Sequence, residues 1–240
     1  SELHTVTRPD LSSPDGREIV ADGVVIRWDA GELLDARDPS TRIIYTAVPD
    51  GGGGFARTAF TSANSGTLGP ILQDFQNDPV GLINFVRGEG RYWKLGDINH
   101  SNPVVLSAPN GVASLKGADY DTFLTTWEDR PKTLLVGAND GMIHCFDVLT
   151  GEELWAYVPY NLLSKLKNMW AVDASTGDRY FNRDVYVDGS PVVEDVLING
   201  NWKTVLICGQ GAGKGSGIGT GATGNYYFAL DVTDIENPQP

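Results

Sequence analysis

Cysteine, histidine and methionine are scarce in this chain, with two, three and two copies in 240 residues, and the first two scarcities narrow the chemistry open to it. No Cys or His pair has metal-ligand spacing, and His4, His100 and His144 are too scattered for a local zinc signature. His144 alternates with Ile143 and Cys145 along a strand, so it reads as a satisfied structural histidine. Cys145 and Cys208 each lie inside an apolar strand, where a free thiol packs as a small hydrophobe. A disulfide between them would need Cα atoms about 4.4–6.8 Å apart, so the cysteine count does not settle the compartment. Positive charge is also short: 18 Lys and Arg stand against 31 Asp and Glu, a net charge of −13. Nucleic-acid affinity comes largely from cations neutralising phosphates, so DNA, RNA and anionic membranes are excluded as expected partners. No stretch approaches the roughly 20 apolar residues that span a bilayer. No basic and apolar leader opens the chain at Ser1, so an export signal is expected upstream or already removed. There is no Gly-x-Ser-x-Gly elbow and no carboxylate pair that stands out from the general acidity. No catalytic residue, no cofactor-binding residue and no metal ligand is therefore assigned, and the chain is read as not an enzyme.

What the chain does have is enough apolar material for a core, 41% hydrophobic with 10% aromatic residues, and a segment that occurs twice. In the first copy Ser101 to Val105 opens a strand, and Thr133 to Ala138, Met142 to Val148 and Glu153 to Val158 supply three more. In the second copy Ser190 to Val193 opens, Lys203 to Gly209 follows, and Tyr226 to Val232 makes the third strand. Pro103 to Pro191 is 88 residues and Asp147 to Asp231 is 84, so the offset is nearly constant and the insertions fall in loops. Repeated sheet-forming units of this kind predict a mainly β fold, a truncated β-propeller with a few short helices in insertions. A full blade is expected over 101–159 and an incomplete one over 186–240, within an incomplete propeller domain from 21 to 240. The fourth strand of the second copy is missing, so the chain is expected to be a fragment whose open edges are closed by a further propeller segment or a second chain.

Residues 1–20 are polar, carry Pro9, Pro14 and Gly16, and read as an extended arm or linker. Val24 to Ile26 with Trp28 is a short strand, Asp29 to Leu34 a brief helical turn, and Arg42 to Thr46 a strand of an earlier blade. Asp50 to Gly54 is a glycine-rich turn, and the polar stretch on to Ser65 is expected to be surface loop. The clearest helix starts at Asp78 and Pro79, as N-cap and first helical residue, and stops at Gly88. A second helix fits Tyr160 to Met169, with Leu162, Leu163, Leu166 and Met169 facing the core. Each third strand ends in an aspartate, Asp147 and Asp231; the first continues through a Thr150-Gly151 hairpin to Trp155, which anchors the outer strand.

Several motifs imitate chemistry. Cys208 to Gly215 is a glycine-rich turn with a lysine, but Cys208 stands where a Walker A glycine is needed and Gly215 follows Lys214. Gly219 to Gly224 spells GxGxxG yet leads into the strand Tyr226 to Phe228 instead of a helix that would hold pyrophosphate, so it is a long hairpin loop. The acidic pairs Asp35 with Asp38, Asp74 with Asp78, and Asp231 with Asp234 follow no calcium-loop pattern and read as solvated carboxylates. Arg87-Gly88-Glu89 is one methylene away from the Arg-Gly-Asp of integrin ligands, and helix termination accounts for Gly88. The long loops Asp50 to Ser65 and Gln210 to Gly224 would vary a contact surface on a rigid scaffold.

The ordered run Leu95-Gly96-Asp97-Ile98-Asn99-His100-Ser101-Asn102-Pro103-Val104, then Gly137 to Asp147 and Thr150 to Trp155, then Val187 to Pro191 and Tyr227 to Asp234, resembles the PilY-type proteins of type IV pili, from about Asp22 to Pro238. The resemblance implies a modified seven-bladed propeller at or near the pilus tip. It implies a role in adhesion, surface sensing and control of pilus extension and retraction, without catalysis. It implies export through the periplasm to an extracellular pilus tip or outer cell surface, with minor pilins and a host or abiotic surface ligand as partners; the binding residues are unknown. The family's calcium loop lies downstream of the Ala229 to Asp234 motif, so its Ca2+ ligands are expected beyond Pro240. Two alternatives share the repeat. A non-catalytic propeller scaffold for outer-membrane assembly lacks the Gly96-Asp97-Ile98 motif, and a PQQ-type quinoprotein dehydrogenase typically uses an adjacent Cys-Cys pair, whereas Cys145 and Cys208 are 63 residues apart.

Overall fold

The computed structural model describes residues 27–117, 119–216 and 223–240. The arm read over 1–20 and the strand read at Val24 to Ile26 lie outside them.

Two antiparallel meanders dominate. The first consists of β3 (Val104–Leu106), β4 (Thr133–Gly137), β5 (Ile143–Asp147) and β6 (Glu153–Val158), each paired with the next. The expected four-strand sheet is larger than the repeat predicts. The hairpin of β1 (Ile44–Pro49) and β2 (Phe55–Ala59) extends it at the β6 edge, giving the order β2-β1-β6-β5-β4-β3. β1 runs parallel to β6, with Ile44 opposite Ala156 and Thr46 opposite Val158. The Arg42 to Thr46 segment thus belongs to this sheet and not to an earlier one. Most of β6 is buried, Trp155 and Ala156 almost completely, and a strand hidden on both faces needs a neighbour for its outer hydrogen-bonding edge. β1 supplies it, and the indole of Trp155 donates to the Ile235 carbonyl at 2.6 Å.

The polar stretch after Gly54 is correspondingly not loop. Only residues 51–54 form the turn, held by Asp50, whose Oδ1 accepts from Gly52 N at 2.8 Å and Gly54 N at 2.9 Å. Phe55 to Ala59 then pairs back on β1, Phe60 is fully buried, and α2 (Ser65–Leu72) follows after a short 3-10 turn. β2 offers no apolar alternation because it is an edge strand with mostly solvated side chains.

Helix α3 (Pro79–Arg87) matches its sequence signals: Asp78 Oδ1 accepts from Gly81 N at 2.9 Å, and Gly88 closes the helix with φ 114°. The other helices, α1 (Ala30–Ala36), α4 (Ala113–Lys116) and α5 (Tyr120–Thr126), are short and sit in connections. The segment expected as a helix from Tyr160 to Met169 is a 3-10 run over Tyr160–Asn168. Leu163, Leu166 and Met169 recur every three residues, and 3-10 geometry stacks such positions on one line; all three are fully buried.

After the small hairpin β7 (Trp170–Val172) and β8 (Arg179–Phe181), the second meander repeats the first with β9 (Pro191–Ile198), β10 (Asn201–Gly209) and β13 (Tyr227–Asp231) in the order β13-β10-β9. The two-residue strands β11 (Gly215–Ser216) and β12 (Thr223–Gly224) pair between β10 and β13. The correspondence reaches hydrogen bonds. Val148 N donates to Lys132 O in the first copy, as Val232 N does to Thr204 O in the second. Asp147 N donates to Glu152 O where the fourth strand begins, and Asp231 N donates to Gln239 O at the matching place. The sheets pack on each other through Leu206, Cys208, Leu230 and Val232, with the rings of Tyr157 and Phe228 5.7 Å apart.

Candidate functional site

The most strongly charged interior point is a four-residue knot. His144 on β5 places Nδ1 2.8 Å from Glu153 on β6, and Nε2 3.1 Å from both carboxylate oxygens of Asp140, four residues earlier. Arg42, just before β1, makes a two-pronged pair with Glu153 at 2.9 and 2.8 Å and donates from Nη1 to the Arg87 carbonyl at 2.7 Å. All four side chains are buried. Burial opposes the imidazolium, but the Asp140 and Glu153 carboxylates outweigh it and raise His144 to about 9. Burial likewise opposes the charge on Glu153, and Arg42 and His144 overcome it and hold the carboxyl well below its ordinary range. Two cations face two anions, so the knot is balanced and fastens β1 to β5 and β6. His144 is the structural histidine the strand pattern indicates. Glu153 carries no sequence signal, since a glutamate opening a strand reads as solvated.

The other residues that sequence reading singled out are brought to different places. His100 is exposed and bonds Asp188 at 2.8 Å. Cys145 and Cys208 are free, buried thiols, and burial pushes both up to about 12. Asp38 caps the 3-10 turn Pro39–Thr41, Asp74 accepts from Gln76 N and Asp78 N, and Asp78 caps α3. Asp231 accepts from Thr233 N and Oγ1 and pairs with Lys203 at 2.7 Å. These carboxylates hold turns, and among the described residues no cluster of three or more Asp, Glu, His or Cys could hold a metal ion. Gly213 is a contact residue: a Cβ there would fall 1.7 Å from the Tyr186 carbonyl oxygen. Gln210 exchanges two amide hydrogen bonds with Asn161, at 2.9 and 2.7 Å. Both bind the start of the glycine-rich segment to the fold.

Arg87 of the Arg-Gly-Glu tripeptide is buried, and its guanidinium donates to the carbonyls of Phe60, Pro39, Ser40 and Arg42 at 2.7 to 3.2 Å. A receptor could not reach it without unfolding the α3 terminus.

One face of the second meander is open and partly apolar. Leu206, Cys208 and Leu230 point inward, so the alternate residues point out. The register sets Val192, Ile207 and Ala229 side by side across the three strands. Val192 is 64% exposed, Ile207 49% and nearby Tyr227 80%. A solvated face of an antiparallel sheet is normally polar, and this apolar row departs from that pattern.

Residues 95–240 match the family described as the PilY1 beta-propeller domain. The chain belongs to this family. It is 35% identical over 225 residues to a type IV pilus biogenesis factor PilY1 of Pseudomonas aeruginosa strain UCBPP-PA14, covering 86% of this chain and 18% of that protein. It is also 35% identical over 194 residues to a type IV pilus biogenesis factor PilY1 homolog of Xylella fastidiosa, covering 69% and 14%. Among solved structures it is similar to the crystal structure of the Pseudomonas aeruginosa PilY1 C-terminal domain, with 33% identity, a TM-score of 0.37, and coverage of 56% of this chain and 24% of that one. The chain spans less than a fifth of the length of these curated relatives. Within the PilY1 propeller family the two meanders are a mainly β, partial propeller, and no helix among the described residues is long and apolar enough to cross a membrane.

Proposed function

We propose that the chain forms part of the propeller of a type IV pilus biogenesis factor that works by binding and not by catalysis. Its place is the pilus tip or outer cell surface, reached through the periplasm. There it contributes to adhesion, surface sensing and the control of pilus extension and retraction, and hence to twitching motility. Residues 21–240 are the propeller-forming portion, with 101–159 as one blade and 186–240 as the inner strands of the next. Minor pilins and a surface ligand are its external partners, and a further propeller sheet, from the same or another polypeptide, covers the Val192, Ile207 and Ala229 row. The match of residues 95–240 to the PilY1 propeller family is the observation that carries this reading; the apolar open face supports the further sheet.

The test separates assembly from adhesion. In cells that express this protein, residues 95–240 are removed from the whole protein, and sheared surface pili, attachment to glass or host cells, and twitching are scored. Loss of surface pili or of retraction-dependent twitching is expected. Unchanged piliation, attachment and twitching together would refute the proposal.

A further inference from the structure

A second feature lies apart from the open sheet face and does not depend on the pilus reading. The 3-10 run and the start of the glycine-rich segment border a cleft of about 460 Å3, a size suited to a small ligand. The two walls are tied where Ser164 Oγ donates to Ser216 Oγ at 3.2 Å. Three of the chain's seven lysines, Lys165, Lys167 and Lys214, line this cleft against one carboxylate, Asp184. Lys165 is already spent: its Nζ lies 3.1 Å from Asp184 and donates to the Val185 carbonyl. The amines of Lys167 and Lys214 have no hydrogen-bond or ion-pair partner among the described residues; that of Lys167 lies 4.9 Å from the centre of the Phe75 ring. Residues 217–222, which follow this wall in sequence, contain no Asp or Glu. Asp74 does not line the cleft, and its carboxylate accepts from Gln76 N and Asp78 N. In a chain of net charge −13 the cleft thus holds two uncompensated positive charges.

The kind of cation narrows the ligand. No arginine lines the cleft among the described residues, so the planar fork that grips a single carboxylate is absent, and lysine amines act as the point charges that hold phosphate. A phosphomonoester brings about 1.5 to 2 negative charges at pH 7 on three acceptor oxygens, which matches two free amines. A lone carboxylate or a phosphodiester brings one charge and leaves half of the pair unbalanced. Ser216 and Asn168 line the same cleft and add neutral donors.

We propose that this cleft binds a phosphomonoester, its oxygens on the amines of Lys167 and Lys214 and the group that carries it in the remaining space. That carrier is a soluble sugar or a lipid headgroup, and the test separates the two.

The complete protein carrying this sequence is titrated at low ionic strength, where lysine contacts are least screened, with D-glucose 6-phosphate, D-glucose 6-sulfate and D-glucuronate. It is also sedimented with phosphatidylcholine vesicles that contain either phosphatidate or phosphatidylglycerol. Saturable binding is expected to glucose 6-phosphate, at least tenfold tighter than to the two singly charged sugars, or to phosphatidate vesicles in preference to phosphatidylglycerol ones. The first result alone names a soluble carrier, the second alone a lipid, and both together the phosphate group itself. Lys167→Gln and Lys214→Gln, at side chains outside the core, should each weaken that binding about 3- to 10-fold and leave the melting temperature unchanged. Lys132→Gln, at an exposed lysine outside the cleft, should not alter it. The proposal is overturned if neither phosphomonoester binds, if the sulfate, glucuronate or phosphatidylglycerol binds as well as its phosphomonoester counterpart, or if Lys132→Gln weakens binding as much as the two cleft variants do.

Discussion

At the scale of single residues, charge buried in this molecule is matched by design of the backbone around it, and pH exposes the matching. His144 is raised to about 9 from an ordinary 6.5, so its protonated form favours the folded state. That contribution is complete below pH 6.5 and drains away as pH climbs to 9. Glu153 is depressed, so its contribution is present above its ordinary 4.5 and is lost as pH falls below that. Stability should therefore be greatest between about pH 4.5 and 6.5. Urea midpoints taken at pH 6, 7.5 and 9 should decline by the equivalent of at most about 3 kcal/mol. In His144→Gln the decline over this range should flatten. Above pH 8.5 ionisation of Cys145 and Cys208 in the unfolded chain adds a loss common to both proteins, so the difference between them isolates the imidazole; parallel curves would mean that His144 is neutral. Arg87 gives a second expectation. Glu89→Asp completes an Arg-Gly-Asp sequence, yet integrin capture should not appear, because the guanidinium is spent on four carbonyls. Arg87→Ala, which leaves those carbonyls unmet, should cost about 3–5 kcal/mol in a denaturation experiment. Capture by Glu89→Asp, or an Arg87→Ala protein as stable as the parent, would show that this terminus opens.

At the scale of elements, the two meanders are pinned by glycines where chains approach too closely for a side chain. A Cβ on Gly189 would lie 2.2 Å from the Gly209 carbonyl oxygen, and one on Gly96 would lie 2.2 Å from Asp140 N. Both glycines sit on the segment that leads into the first strand of a copy, beside the end of that copy's second strand. Neither has a left-handed φ; the constraint is space. Gly189→Ala should therefore cost about 2–4 kcal/mol, typical of overpacking against rigid backbone, and should lower the melting temperature. Gly51→Ala, in a turn with open space around it, should cost about 1 kcal/mol for its φ of 81° alone. Equal effects would place the strain in the glycine's conformational freedom and not in the contact. The same elements show what a sequence discloses. Asp78, Pro79 and Gly88 are local signals that act within one turn, so α3 is legible. The strands of both copies are legible because they alternate or run apolar between turn residues. The β1–β2 hairpin is not, since its place is fixed by the unmet edge of β6 more than 90 residues away, and Glu153 reads as surface until Arg42 is set beside it.

At the scale of the whole molecule, the open face of the second meander decides how the chain behaves alone and in company. Val192, Ile207 and Ala229 form one row across three strands, with Tyr227 beside it. If a further sheet covers this row, replacing Ile207 with a charge has opposite consequences in two settings. In the isolated 240-residue chain the side chain is half exposed and touches little, so Ile207→Lys should leave the melting temperature within about a degree or two and reduce self-association seen in sedimentation. In the complete protein the same lysine would be buried without a partner, and the cost of several kcal/mol should appear as lower yield, a lower melting temperature and faster proteolysis of the propeller. A substitution harmless in both settings would mean that the row stays in water. One that is damaging in both would mean that Ile207 supports its own meander, and the covering sheet would have to be sought on another face.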